Sequence, residues 1–198
     1  IYPKELNESF LKWNLDLVAI STIADVVPLI GENRVFANFG LLVLKKTKNM
    51  GLIELIKQSG IKQLDMTAYT VGFQIAPRIN APGRIDHATK SLELLITEDK
   101  DEAKELATWL NKKNEDRQWA MAKVEKSAAA KIEENHLYKN KIIVVVGEWL
   151  KGVIGPSASH LVEKYSRPVI LFSKDEGVYV GSARSVEGVN IVEIFENI

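Results

Sequence analysis

The order of apolar and polar positions changes character along the chain, and each change predicts an element. Residues 15–29 run apolar with Asp16, Ser21, Thr22 and Asp25 embedded, and stop at Pro28, which predicts a buried element. Gly31-Glu32-Asn33-Arg34 reads as a turn, and 35–44 resumes as an amphipathic helix. Asn49-Met50-Gly51 breaks it, 52–58 is a short helix ended by Gly60, and 67–75 is helical again. That stretch runs into Ala76-Pro77-Arg78-Ile79-Asn80-Ala81-Pro82-Gly83-Arg84, a polar segment that its glycine and prolines mark as a connector.

From Thr97 a single long helix is predicted. At 100° per residue Ala103, Leu106, Ala107, Leu110, Met121, Val124, Ala128 and Ile132 share one stripe, with Asn114 and Arg117 at the same angle. About 35 residues at 1.5 Å each make a rod of ~50 Å, long for a single core, so the helix is expected to bridge two domains. After His136 the pattern becomes strand-like. Lys141-Ile142-Ile143-Val144-Val145-Val146 is a β-branched run of the kind parallel sheets bury on both faces. A loop at 147–151, a helix at 152–165 with Leu161 and Val162 inward, a strand at 168–172, a turn at Asp175-Glu176-Gly177 and a third strand at 178–182 complete a βαβ unit with one added strand. No internal repeat or low-complexity segment interrupts this order. The expected organisation is therefore α/β: a mostly helical part at 1–100, the connecting helix at 101–136 and an α/β part at 137–198.

Composition narrows the class. Hydrophobic residues make up 46% and charged residues 26% of the 198, an ordinary globular balance that excludes disorder. Lys plus Arg equals Asp plus Glu at 26 each, so bulk charge does not drive nucleic-acid binding, although a local basic lining remains open. Without cysteine there are no disulfides, zinc-thiolate sites or Cys nucleophile, and three scattered histidines are too few for a His-built metal site. No apolar run approaches the roughly 20 residues of a membrane span. Ile1-Tyr2-Pro3-Lys4-Glu5 has neither an initiator Met nor a signal pattern, and the chain stops inside an apolar-periodic stretch, so both ends are expected to be cuts in a longer polypeptide.

Asp25, flanked by Ile23, Ala24, Val26 and Val27, is costly to bury without a partner. A hard cation such as Mg²⁺ or Mn²⁺ is one partner; helix capping or an ion pair with Arg34 is the alternative. One carboxylate does not make a two-metal site. Arg78, Asn80 and Arg84 place forked donors on a segment where backbone approaches closely, which suits phosphate, against the alternative of a solvated connector. Asn114 and Arg117 either line the same groove or form a buried clamp. Gly181-Ser182-Ala183-Arg184-Ser185 directly follows the third strand and reads as an anion nest or a tight turn. Gly152-Val153-Ile154-Gly155 opens a helix whose N-terminus suits an anion, but it is not a P-loop. His87 mimics a metal motif without its second His, and neither His136 nor His160 has a nucleophile partner nearby in sequence.

Several segments, in this order, resemble the RecJ single-strand-specific exonuclease family of the DHH phosphoesterase superfamily. They are the stretch from Asp16 to Leu29 ending Thr22-Ile23-Ala24-Asp25-Val26-Val27-Pro28-Leu29, then Pro77 to Arg84, then Asn114-Glu115-Asp116-Arg117. Gly152 to Gly155 with Ala158-Ser159, and Gly181 to Ser185, complete the series. The resemblance implies the C-terminal part of a DHH catalytic domain, a long connecting helix and a truncated DHH-associated domain. It makes Asp25 a catalytic manganese or magnesium ligand in a two-ion centre. It assigns nucleic-acid phosphate contact to Arg78, Asn80, Arg84, Asn114, Arg117, Gly181, Ser182, Arg184 and Ser185, the arginines lining an interdomain groove.

The family's earlier metal motifs, Asp-x-Asp and Asp-His-His, are absent and would precede Ile1, so this chain alone is expected to be inactive and not to retain the two ions. The implied parent is a cytoplasmic 5′-to-3′ exonuclease on single-stranded DNA in repair and recombination. Single-strand-binding protein and a helicase are its implied partners, with no membrane. A phosphoesterase for short oligonucleotides or cyclic dinucleotides, and a non-catalytic nucleic-acid-binding module, are the alternative readings.

Overall fold

The structure is a computed structural model that describes residues 7–197. The expectations drawn from Ile1 to Glu5 and from Ile198 lie outside the described residues. The chain divides into two compact units, Ile1–Asn114 and Glu115–Ile198, and is α/β overall.

The first unit is helical. α1 (Glu8–Trp13) starts where the Asn7 side chain accepts from the Phe10 amide at 2.9 Å, and leads into α2 (Leu15–Ala24). α3 (Gly31–Leu44) begins at the residues expected to form a turn: Gly31, at φ 50°, absorbs the reversal and Glu32 to Arg34 are already helical. α2 and α3 meet closely at Gly40, where a β-carbon would collide with the Leu15 carbonyl oxygen. α4 (Met50–Gln58) is capped by Asn49, whose side chain accepts from the Leu52 amide at 2.9 Å. A reciprocal Thr67–Thr70 cap opens α5 (Ala68–Thr70), which runs through a π-helical turn, Val71–Ile75, into α6 (Ala76–Asn80) and α7 (Pro82–Ile85).

The segment expected to be an irregular connector is thus two helical turns. Pro77 and Pro82 occupy first-turn positions, where a missing N–H costs nothing. α8 (Thr89–Ile96) and the N-terminal half of α9 (Lys100–Glu134) close the core around Leu44, Leu52, Leu55, Ile56, Met66, Val71, Ile75, Leu94 and Leu110. Full burial of each such side chain stabilises the fold by about 1.5–3 kcal/mol.

α9 has 35 residues, as periodicity predicts, and all eight stripe residues are buried. Asp99 caps it, accepting from the amides of Asp101 and Glu102 at 2.8 Å each. Two residues beyond its end, His136 takes the left-handed region at φ 54° and redirects the chain.

The second unit is a three-stranded sheet of order β1-β2-β3. β1 (Ile143–Gly147) pairs in parallel with β2 (Val169–Asp175) after the crossover helix α10 (Lys151–Tyr165). β3 (Val178–Arg184) returns antiparallel through Glu176-Gly177, both at positive φ, as a two-residue hairpin requires. A short α11 (Ile191–Glu196) follows. β1 alternates rather than being buried throughout: Ile143 and Val145 are buried, Val144 and Val146 exposed, because α10 covers one face of the sheet. α10 is tied to the C-terminal half of α9 by His160 and Glu125 at 2.7 Å, so His160 does have a charged partner, distant in sequence. Tyr165 adds a hydrogen bond to Glu133 at 2.9 Å, and burial together with that carboxylate pushes its phenol up to about 12.

Candidate functional site

α2 carries a carboxylate near each end, in opposite environments. Asp16, in its first turn, is 4% exposed and accepts from the Thr47 hydroxyl and, at 2.7 Å, from the Leu17 amide. Burial pushes its carboxyl up, and those two donors oppose the shift. Asp25 is the C-cap residue, at φ −83° and ψ 0°, and is exposed rather than buried as its apolar neighbours suggested. Nine residues at 100° set it roughly 180° around the helix from Asp16. Of these two acids the fold therefore buries Asp16.

Among the described residues Asp25 forms no ion pair, with Arg34 or otherwise. Its backbone amide points back to the carbonyls of Ser21 and Ile23, at the end of α2 where carbonyls leave a partial negative charge. The following residue, Val26, sits at φ 54°, a strained setting for a β-branched side chain, and turns the chain toward Pro28. Asp25 lies in an open depression of about 470 Å³ with Ser21, Thr22, Ala24, Val27, Asn33 and Asn80. Asn33 also donates to the Pro28 carbonyl at 3.2 Å, fixing the 25–30 loop. Sequence reasoning selected Asp25 and Asn80 but missed Asn33, Ser21 and Thr22. Asn33 fell in the supposed turn, and only its placement in the first turn of α3 brings it to Asp25.

The other residues singled out in this unit are dispersed. Arg78 is half-buried and engaged within the protein, donating from Nε to Asn111 at 2.9 Å and from Nη1 to the Gln74 carbonyl at 2.7 Å. Arg84 is exposed in the last turn of α7. Asn114 is 2% exposed with no hydrogen-bond partner for its Oδ1 among the described residues. His87 is exposed just before α8 and donates its amide to Asp86. Lys113, 3.0 Å from Asp86, holds that carboxyl below its usual range.

In the second unit Gly181 to Arg184 form the end of β3 rather than a nest beyond it. The period of two therefore separates them by face. Ser182 and Arg184 stand opposite Leu171 and Val169 on the side covered by α10, while Gly181 and Ala183 face the other way. Arg184 donates from Nη1 to Ser182 Oγ at 3.2 Å and to the Ala183 carbonyl at 2.7 Å. Gly155, in the second turn of α10, lies directly beside them. A β-carbon at Gly155 would stand 3.1 Å from both Arg184 Nη2 and Ser182 Oγ. No side chain caps that helix at Leu150, and the Val153 amide bonds to the Leu150 carbonyl at 3.2 Å. Ser185 is occupied by the Val189 carbonyl at 2.7 Å. Half-buried Arg117, on α9, has partners of its own within the protein.

Among the described residues no group of three or more His, Cys, Asp or Glu is placed to hold a metal ion, and no helix is long and apolar enough to cross a membrane. No family model matches the chain. It is 45% identical over 181 residues to the single-stranded-DNA-specific exonuclease RecJ of Bacillus subtilis, covering 90% of this chain and 23% of that protein. To RecJ of Haemophilus influenzae it is 39% identical over 191 residues, covering 93% and 33%. The crystal structure of Thermus thermophilus RecJ in complex with Mg²⁺ superposes with a TM-score of 0.80 at 34% identity, over 93% of this chain and 28% of that one. A crystal structure of exonuclease RecJ bound to manganese gives 0.77 over 93% and 46%. The chain spans about a quarter to a third of the length of the curated relatives it matches. Over nine tenths of its residues, this chain is a homologue of the RecJ single-stranded-DNA-specific exonucleases and corresponds to a segment of them.

Proposed function

We propose that this chain is part of a metal-dependent 5′-to-3′ exonuclease on single-stranded DNA that works in DNA repair and recombination. In this reading Asp25 is one ligand of a two-metal centre, and Ser182 and Arg184 bind a phosphate of the strand. The observation that carries the proposal is the exposed, unpaired carboxylate of Asp25 at the C-terminus of α2, in a depression shared with Asn33 and Asn80.

That donor set fits a hard cation. Carboxylate, hydroxyl and carboxamide oxygens suit Mg²⁺ or Mn²⁺, and the negative end of the helix dipole adds to the attraction. Ser21 and Thr22 donate their hydroxyl hydrogens to the Val18 carbonyl, at 2.9 and 2.7 Å, so their oxygens keep lone pairs that can act as ligands. Bound metal would lower the pKa of an attacking water and offset charge building on the phosphate. Asp25 holds its ligand position because the strained turn at Val26 and the Asn33–Pro28 hydrogen bond fix the loop after it. In the second unit Arg184 and Ser182, on one face of β3, supply forked and hydroxyl donors to one phosphate. The remaining metal ligands belong to the rest of a RecJ-length polypeptide, so the 198-residue chain alone hydrolyses nothing.

The test is digestion of single-stranded DNA, labelled at either end, by the RecJ-length parent with Mn²⁺. Mononucleotides released from the 5′ end, with the isolated chain inert, are the expected result. Degradation by the isolated chain, or parental release from the 3′ end, contradicts the proposal.

A further inference from the structure

A second feature of the first unit is not used by the metal or phosphate assignments. Tyr69 and Phe73 are 65% and 71% exposed, and their rings lie against one another with centroids 4.8 Å apart and planes tilted by 31°. Two large aromatic rings held in water forgo the burial that aromatic residues normally obtain. Their backbone is nonetheless tightly fixed. The Thr67–Thr70 cap starts the helix beneath Tyr69, and Phe73 sits in the π-helical turn, an insertion that concentrates at functional sites. A β-carbon at Gly72 in that turn would stand 3.8 Å from Ile23, on the helix that ends at Asp25.

A depression of about 440 Å³ lies between α3 and the start of α5, the helix that carries Tyr69. Arg34, Val35, Asn38, Leu29 and Ala68 are among its lining residues, and none of the residues that line it is acidic. Ala68 directly precedes Tyr69, and Arg34 directly follows Asn33, which lines the Asp25 depression. Arg34 is exposed and forms no ion pair among the described residues.

We infer that Arg34, Tyr69 and Phe73 form a nucleobase-stacking subsite, in which Arg34 meets a phosphate and the aromatic pair receives a base of the same strand. This inference rests on the nuclease reading and specifies how the first unit holds its substrate. The charge is complementary to a phosphodiester strand. Rings of this kind stack on any base, as a sequence-tolerant exonuclease requires.

The experiment compares binding of a short oligothymidylate and an abasic oligomer of equal length to the RecJ-length parent, with cleavage blocked by Ca²⁺ in place of Mn²⁺. The double variant Tyr69→Ala/Phe73→Ala is expected to lose about tenfold or more in affinity for oligothymidylate and nothing for the abasic oligomer. Tyr69→Phe, which keeps the ring, retains wild-type binding and guards against a folding defect. Arg34→Ala weakens both oligomers and flattens the salt dependence. Equal loss of both oligomers in the double variant, loss of neither, or rings inaccessible to aqueous quenchers in the free parent overturns the subsite. A parent that binds neither oligomer defeats the nuclease reading and the subsite with it.

Discussion

Arg184 and Gly155 approach one another closely within the second unit: Nη2 of the guanidinium lies 3.1 Å from where a β-carbon at 155 would stand. The absence of a side chain on α10 thus decides where the donors of β3 lie. Gly155, the second glycine of the RecJ-like 152–155 segment, thereby acquires a physical reason.

Gly155→Ala requires Arg184 and Ser182 to shift by a few tenths of an ångström, which flexible side chains allow without unfolding. We expect single-stranded DNA affinity of the RecJ-length protein to fall about fivefold, the loss of roughly 1 kcal/mol from a misaligned charge-assisted hydrogen bond. Fluorescence anisotropy and thermal unfolding check it. A lowered unfolding midpoint with unchanged affinity would show that the glycine serves packing alone.

Arg184→Ala in the same protein removes a phosphate cation. Binding weakens, and the slope of log affinity against log salt falls by about 0.7, the value for one contact to a single strand. Titrations at several salt concentrations measure this directly. An unchanged slope takes Arg184 off the phosphate path.

Asp16 makes stability depend on pH. Its folded carboxyl titrates above the ordinary 3.8 because burial disfavours the charge. The folded state therefore keeps its proton after the unfolded chain has lost it, and stability falls as pH rises from about 3.8 to the raised folded value. Asp16→Asn lacks this loss. Urea unfolding of both proteins across that range should show the variant gaining relative to wild type with rising pH. A constant difference would mean that the Thr47 and Leu17 donors fully offset the burial.

Much of the fold was legible because periodicity reports burial over long stretches. All eight residues of the α9 stripe are buried, and the βαβ order with its hairpin turn follows from β-branched runs and the Glu176-Gly177 pair. Short segments misled. At 76–85 the prolines that suggested a loop are helix starters, and Gly31 opens a helix instead of a turn. Asp25 was placed in the interior from its sequence neighbours, although helical rotation sets it opposite Asp16, on the outside. Ser182 and Arg184 were recognisable by residue type, but their common face and their contact with Gly155 depend on β3 reaching Arg184. The approach of Asn80 to Asp25 joins residues far apart in the chain, which local pattern does not encode.

The central claim is that the carboxylate at position 25 ligates metal, and calorimetric titration of the RecJ-length parent with Mn²⁺ tests it most directly. Outer-shell partners of metal sites are typically worth 10–100-fold in affinity, so removing a direct ligand by Asp25→Ala should weaken or abolish one binding event by about a hundredfold, with the unfolding midpoint preserved. Titration curves for wild type and variant that superpose in stoichiometry and affinity would contradict it.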